Sequence, residues 1–355
     1  MDHDSDFMIR FGPAGIPLSC KGRTLQDGIE DVHNLGLSAL EIQMVRANAY
    51  TRPPDDEEIG MTIKDIQEDF VIEMVRDGEI INDPDEPIDE DDDLMYMPSG
   101  VANTFGELYG IGEAAKRLDV NMSIHTPYYM DLGSNNELTD VCMNSIRHAG
   151  LIMDALDGDI VVTSLGLYDG KMDPEEVDAN IYDNVAMIMD WWHGNGLKPR
   201  LGIEVTGHQD VFGSLDQILD LCDTIEGLTP VVNFSHYHAR TGGSLLEVDD
   251  FLDVLERVEP YSNGQIHTAF AGVDHADGNE TRLTPIKKGD LKFEYLAEAL
   301  IEMQPNATII STSPLLEHDA MYMRIIHERV LAKKVAKDMK EKRKAEAAAA
   351  AASGE

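Results

Sequence analysis

Short runs rich in Ile and Val recur along the chain, and each gives way to a stretch whose apolar residues return every three or four positions. The runs predict strands at 8–15, 39–44, 121–127, 159–166, 200–207, 228–236, 264–272 and 307–314. The helical spacing is clearest over 25–35, 137–156, 177–194 and 215–225, with Asp173 and Ser214 where N-caps are expected. Eight such units with nearly continuous apolar strands imply α/β architecture of the parallel (β/α)8 TIM-barrel type, over residues 1–330. A doubly wound sheet is the alternative, but no Gly-rich phosphate loop follows the first strand.

Two segments break the alternation. The first is an insertion after strand two, at about 52–100, and its stretch 55–93 holds 18 acids against two bases, Lys64 and Arg76. Within it, 63–75 has the spacing of one amphipathic helix, and 82–93 reads as a solvated loop. An insertion there belongs at the C-terminal mouth of a barrel, as a surface loop, a lid or a partner-binding element. The second is a helical tail at 331–355. From Arg324 to Lys344 there are nine bases against three acids, followed by an alanine run. Ala, Lys and Glu favour a helix that outlasts the core, and its charge suits an acidic surface, a protein partner or nucleic acid.

Composition narrows the classes. With 67 acids against 28 bases the formal charge is −39, spread over nearly every segment. Such diffuse acidity reads as adaptation to high internal salt, where screening shrinks to a few ångströms. It disfavours polyanionic and membrane partners at low salt without excluding a local phosphate site. No run of about 18 apolar residues occurs, so no bilayer span is expected. Residues 1–6 lack a signal-peptide pattern. Cys20, Cys142 and Cys222 form no CxxC pair, which fits a reduced cytoplasm and neither a disulfide framework nor a zinc knuckle.

In such barrels chemistry sits where strands end. Strand three ends in His125, Tyr128 and Tyr129, strand four in Ser164, and strand five in Glu204 and His208. Strand six gives Asn233, His236, His238 and Arg240, strand seven His267, and strand eight Ser311. Imidazoles and a carboxylate converging on one mouth are ligand types for Zn or Mn. The same groups serve proton transfer, with Glu204 as base and His125 or His236 as acid. They also suit a purely structural polar cluster. Ser164 and Ser311 lack a nucleophile-elbow context.

The segments FGPAG at 11–15, SIHTPYY at 123–129 with Leu132, GIEVTG at 202–207 and NFSHYHAR at 233–240 resemble the endonuclease IV family. That family belongs to the xylose isomerase-like TIM barrels, and the archaeal branch is the nearer likeness. The resemblance runs over about 8–330, interrupted by the insertion. It implies a metal-dependent phosphodiesterase, a hydrolase cleaving damaged DNA at abasic sites with three zinc ions. Carried over residue by residue, it makes His125, Glu204, His236 and His267 metal ligands, with Glu204 orienting the attacking water. Ala269 fits the strand-seven register as well as His267 does. Tyr128, Arg240 and Arg282 are candidates for contacting substrate.

The departures from the family pattern carry equal weight. Ser164 replaces the strand-four histidine, Asn233 the strand-six aspartate and Ser311 the strand-eight glutamate. The Asp-x-His pair after strand seven falls at Thr281 and Leu283, with Glu280 and Arg282 adjacent. Neutral Asn and Ser cannot balance three divalent ions, so at most one Zn site is expected. Three readings follow: a nuclease-like DNA-repair hydrolase, a binding or scaffold protein without catalysis, and a one-metal or metal-free sugar isomerase or epimerase.

Overall fold

The computed structural model describes residues 7–44, 48–98 and 100–352. The leader reading at 1–6 and the last three residues of the tail lie outside the described residues. Eight parallel strands form the barrel: β1 (Ile9–Pro13), β2 (Ala39–Gln43), β3 (Asn121–His125), β4 (Ile160–Thr163), β5 (Arg200–Glu204), β6 (Leu228–Asn233), β7 (Ile266–Phe270) and β8 (Ala307–Ser311). Parallel ladders join each to the next from β2 round to β8, and β8 pairs with β1. The seam between β1 and β2 is closed by a single bridge, Ala14 to Glu41. There the strands come so close that a Cβ on Gly12 would lie 1.8 Å from the Ala39 carbonyl oxygen, so only glycine fits.

The helices are α1 (Leu25–Asn34), α2 (Glu107–Arg117), α3 (Glu137–Ala155), α4 (Pro174–Gly194), α5 (Leu215–Thr224), α6 (Phe234–Arg240), α7 (Val248–Val258), α8 (Phe293–Met303) and α9 (Glu317–Ala352). Their N-termini follow from the sequence. Thr24 and Asp27 form a capping box, as do Ser214 and Gln217, and Asp173 accepts from the Glu175 amide. The main core lies between barrel and helices, and small clusters fill the interior: Ala39, Ala269 and Ile310 in one, Ile160, Val162 and Val231 in the other.

Two expectations need correction. Residues 63–75 do not form a helix. Val71–Arg76 is a strand, because its β-branched run pairs on both edges within an antiparallel sheet ordered Tyr50–Arg52, Asp93–Tyr96, Val71–Arg76 and Glu79–Ile81. Nor is 82–93 wholly solvated: Ile88 and Asp92 are buried, and Arg76 grips the Asp92 carboxylate at 2.8 Å. The insertion is fastened to the barrel by a buried contact, Glu73 to His148 of α3, at 2.9 Å.

The strand expected at 228–236 stops at Asn233. Its side chain accepts the amides of Ser235 and His236 and so caps α6, which carries His236, His238 and Arg240 on a helix. The run at 264–272 likewise divides. After β7 the chain enters a hairpin of Gly272–Ala276 and Asn279–Thr284. Among the described residues no helix is long and apolar enough to cross a membrane.

Candidate active site

At the C-terminal mouth a cavity of about 490 Å³ is lined by His125, Glu204, Asn233, His236, Glu280 and, unforeseen from sequence, Glu41. Strand parity explains most of this. Glu41 stands level with Ser123, Gln43 with His125, and Glu204 with Val231, all facing inward. Glu204 is the hub. Its Oε2 lies 3.2 Å from His125 Nε2 and 3.8 Å from His236 Nε2, and its Oε1 accepts from the Asn233 amide at 3.2 Å. The two imidazoles are fixed from behind: His125 Nδ1 donates to the Thr126 carbonyl at 2.7 Å, and His236 Nδ1 to Glu280 at 2.5 Å.

His267 faces inward from β7, fully buried, with Nε2 3.5 Å from Glu41. Glu41 also accepts from Gln43 at 2.9 Å and from the Ser123 hydroxyl at 3.4 Å. Three imidazole–carboxylate pairs therefore surround the mouth: His125 with Glu204, His236 with Glu280, and His267 with Glu41. The first two reach the cavity directly; of the third, only Glu41 does.

Charge is partitioned accordingly. Burial alone would lower the His125 pKa, but the adjacent Glu204 carboxylate, by charge and hydrogen bond, raises it to about 9. Burial would raise the Glu204 pKa, yet His125, His236 and the Asn233 amide bring it to about 2. His236 is raised as well: burial opposes this, and its bond to Glu280 and the charge of Glu204 prevail. Charge and hydrogen bonding thus favour the protonated form of both imidazoles and the ionised form of Glu204.

Of the remaining candidates only Tyr128 reaches the cavity. Tyr128 lines the cavity at 63% exposure and packs edge-on against Tyr129. Arg240 is tied into the loop after β5, donating to the His208 carbonyl, to Thr206 Oγ1 at 3.0 Å and to the Val211 carbonyl at 3.0 Å. Arg282 projects from the hairpin and pairs with Asp274 at 2.7 Å. On strand eight, Ile310 packs into the barrel interior, so Ser311 faces outward and Thr312 lines the mouth. Glu280 arrives from the hairpin one position before the family's aspartate.

A cation can be tested against these residues. Both histidines hold Nδ1 on an outer acceptor and aim Nε2 at Glu204, the way ligating imidazoles are held. Glu204 with one of them fits a single ion. A three-ion cluster does not fit. The Asn233 Oδ1 is committed to capping α6, so its NH₂ must face Glu204, placing a donor where the family has a carboxylate. A separate grouping, His238, His275 and Asp290, brings three ligand-type side chains within 4.8 Å of one another. There the Leu245 amide donates to His238 Nδ1, which leaves the imidazole proton on Nε2, facing Asp290 at 3.3 Å.

Residues 100–321 match the family model described as xylose isomerase-like TIM barrel. An uncharacterized protein of Methanocaldococcus jannaschii, MJ0133, is 25% identical over 324 residues, covering 90% of this chain and 96% of that protein. Among solved structures, a D-tagatose 3-epimerase-like protein superposes with TM-score 0.60 at 16% identity, over 92% of this chain and 99% of that one. Endonuclease IV from Thermus thermophilus gives TM-score 0.55 at 18% identity, over 90% of this chain and 99% of that one. Likeness at this level establishes the fold, and the chemistry rests on the residues above.

Proposed function

Because this chain belongs to the xylose isomerase-like TIM barrel family, whose fold hosts more than one chemistry, we propose that it is an isomerase or epimerase that moves a proton beside a carbonyl of a small polyhydroxylated substrate. The observation that carries this reading is the pairing of His125 with Glu204 and His236 with Glu280 around one cavity of about 490 Å³. That volume suits a small ligand. Glu204 and Glu280 both line that cavity, and they hold the two nitrogens of the His236 ring, so a carboxylate and a backed imidazole face the same space.

In this mechanism the N–H groups of His125 and His236 hold the substrate's carbonyl and neighbouring hydroxyl oxygens and stabilise the negative charge that develops there. Glu204 takes the C–H proton, and an N–H of His125 or His236 returns a proton to the same carbon for epimerisation or to its neighbour for isomerisation, after which the proton on Glu204 passes back to that imidazole. Glu204 is a weak base while His125 rests on it. A substrate oxygen that draws the His125 proton away raises its basicity at the moment it is needed. A divalent ion such as Zn, if bound by Glu204 with one imidazole, would polarise the same oxygens.

The test is proton exchange. Aldoses, ketoses and keto-sugars incubated with the protein in D₂O and high salt should lose C–H signal beside the carbonyl in proton NMR. Glu204→Gln and Glu280→Gln should each slow this by a factor of about 10² or more while the fold is retained. A second reading, a metal-dependent phosphodiesterase acting on abasic DNA in the cytoplasm, draws on exposed Tyr128 and Tyr129 at the rim, placed to stack on a base. The charge of −39 weighs against it. Chelator-sensitive cleavage of an abasic duplex with no sugar exchange would replace the first reading by the second.

A further inference from the structure

Strand β2 is a partition. Along it Glu41 and Gln43 face the mouth, and the alternate residues Leu40 and Ile42 face a second cavity of about 700 Å³. The two cavities meet at Ala14, Glu41, Gln43, Met44 and Leu316, which line both. Away from that junction the second cavity is walled mainly by apolar groups, among them Ile16, Leu25, Met97, Val101 and Ile152. Met97, Pro98 and Gly100 come from the end of the acidic insertion and Val101 follows it, so the insertion supplies one wall of a space that shares lining residues with the mouth.

We propose that this space is a subsite for the apolar part of the substrate, which is therefore amphiphilic: a polyhydroxylated head at the imidazole–carboxylate pairs and an apolar ring or short chain behind β2. This inference rests on the proton-transfer reading and names its substrate class. A free hexose would be held at the mouth and leave the larger, apolar space to water, at a cost in unburied apolar surface. A molecule spanning both places its polar groups beside Glu41, Gln43, His125 and Glu204 and covers that surface. The insertion then sets specificity through Met97 and its neighbours, while most of its acids face solvent.

The test separates the subsite from the chemistry. Benzene titrated into the full-length protein in high salt, followed by ligand-observed NMR, should be taken up by the wild type. It should be excluded from Ile16→Trp, whose indole fills the space. Met97→Trp serves the same end if the first variant fails to fold by circular dichroism. Methyl, butyl and hexyl β-D-glucopyranosides, below their aggregation concentrations, should bind roughly fourfold tighter per added methylene until the space is full, in the wild type alone. No benzene uptake, or uptake unchanged in the tryptophan variants, overturns the subsite. Benzene uptake without binding of any glycoside overturns the amphiphilic assignment and leaves proton transfer to be judged by its own exchange assay.

Discussion

Asn233→Asp restores the family's carboxylate and tests whether this mouth has exchanged cation charge for proton charge. The aspartate can cap α6 as the asparagine does, through the Ser235 and His236 amides, so local structure is preserved. Its second oxygen, however, replaces a donor that lies 3.2 Å from Glu204 Oε1 in a buried setting. Two unit charges at that distance repel by about 5 kcal/mol at an effective dielectric constant of 20. Protonating one carboxyl at pH 7 limits the cost to about 4 kcal/mol, the work of carrying an ordinary aspartate proton up to that pH. At about 2 °C per kcal/mol for a domain of this size, melting should fall by roughly 8 °C in chelator. The sign with pH follows: an acid whose folded pKa is raised destabilises fully above that folded value, and the deficit disappears as pH falls below the ordinary carboxyl range. Zn or Mn should restore the variant and raise its bound-metal content, while shifting the wild type far less. Thermal unfolding from pH 5 to 8, with chelator and with each ion, reads all of this. A variant as stable as the wild type in chelator, or one indifferent to divalent ions, would refute the idea that the Asn233 amide substitutes for a cation.

The wild type should show its own pH dependence through His125 and Glu204. The imidazole's contribution is fully present below about pH 6.5 and lost as pH rises through about 9, whereas the carboxylate's is present above about 4.5 and lost as pH falls through about 2. His125→Gln should flatten the alkaline limb of a melting-temperature profile, and an unchanged limb would contradict the pairing. Arg240→Gln removes a half-buried charged donor from the His208 and Val211 carbonyls and should cost about 1.5–3 kcal/mol in denaturant unfolding, whereas Tyr128→Ala, at an exposed rim, should leave stability within about 0.5 kcal/mol. Removing 335–355, beyond the last tail contact among the described residues, from Lys334 to the Ile301 carbonyl, should also leave melting unchanged; a marked drop would mean that the basic tail is held by the body or by a neighbouring copy.

The barrel was legible because its signal is periodic: apolar runs for strands, three- and four-residue spacing for helices, and side-chain caps such as Ser214 and Asp173 at the joins. The site was less so, for reasons of parity and distance. Reading Ser311 rather than Thr312 as the mouth residue is a slip of one, and in a strand one residue reverses the face. Glu280 was noted only as a neighbour of the Thr281–Leu283 register, because it reaches His236 from a hairpin 44 residues along the chain, which no periodicity foretells. Glu41 left a trace, as the one acid in the apolar run of β2, but a single acid in a strand does not say what it faces. The helix expected at 63–75 failed because its helical spacing competed with a β-branched run, and pairing within the insertion's sheet decided the outcome.

What joins these residues is charge balance. A buried carboxylate needs a compensating partner, a metal ion or a proton donor. Around this mouth Glu41, Glu204 and Glu280 each have an imidazole within 3.5 Å, and the Asn233 amide takes a fourth position beside Glu204. The substitutions that remove the family's ligands thus coincide with a set of imidazole–carboxylate pairs. Pairs of this kind can exchange protons, where a cation cluster would hold fixed charge. That is a configuration for acid–base chemistry on a neutral ligand, and it suits a chain whose own field of −39 repels a polyanion. The same balance explains why Asn233→Asp is the informative change: it alters one atom of the set and asks the barrel to find the missing positive charge from outside.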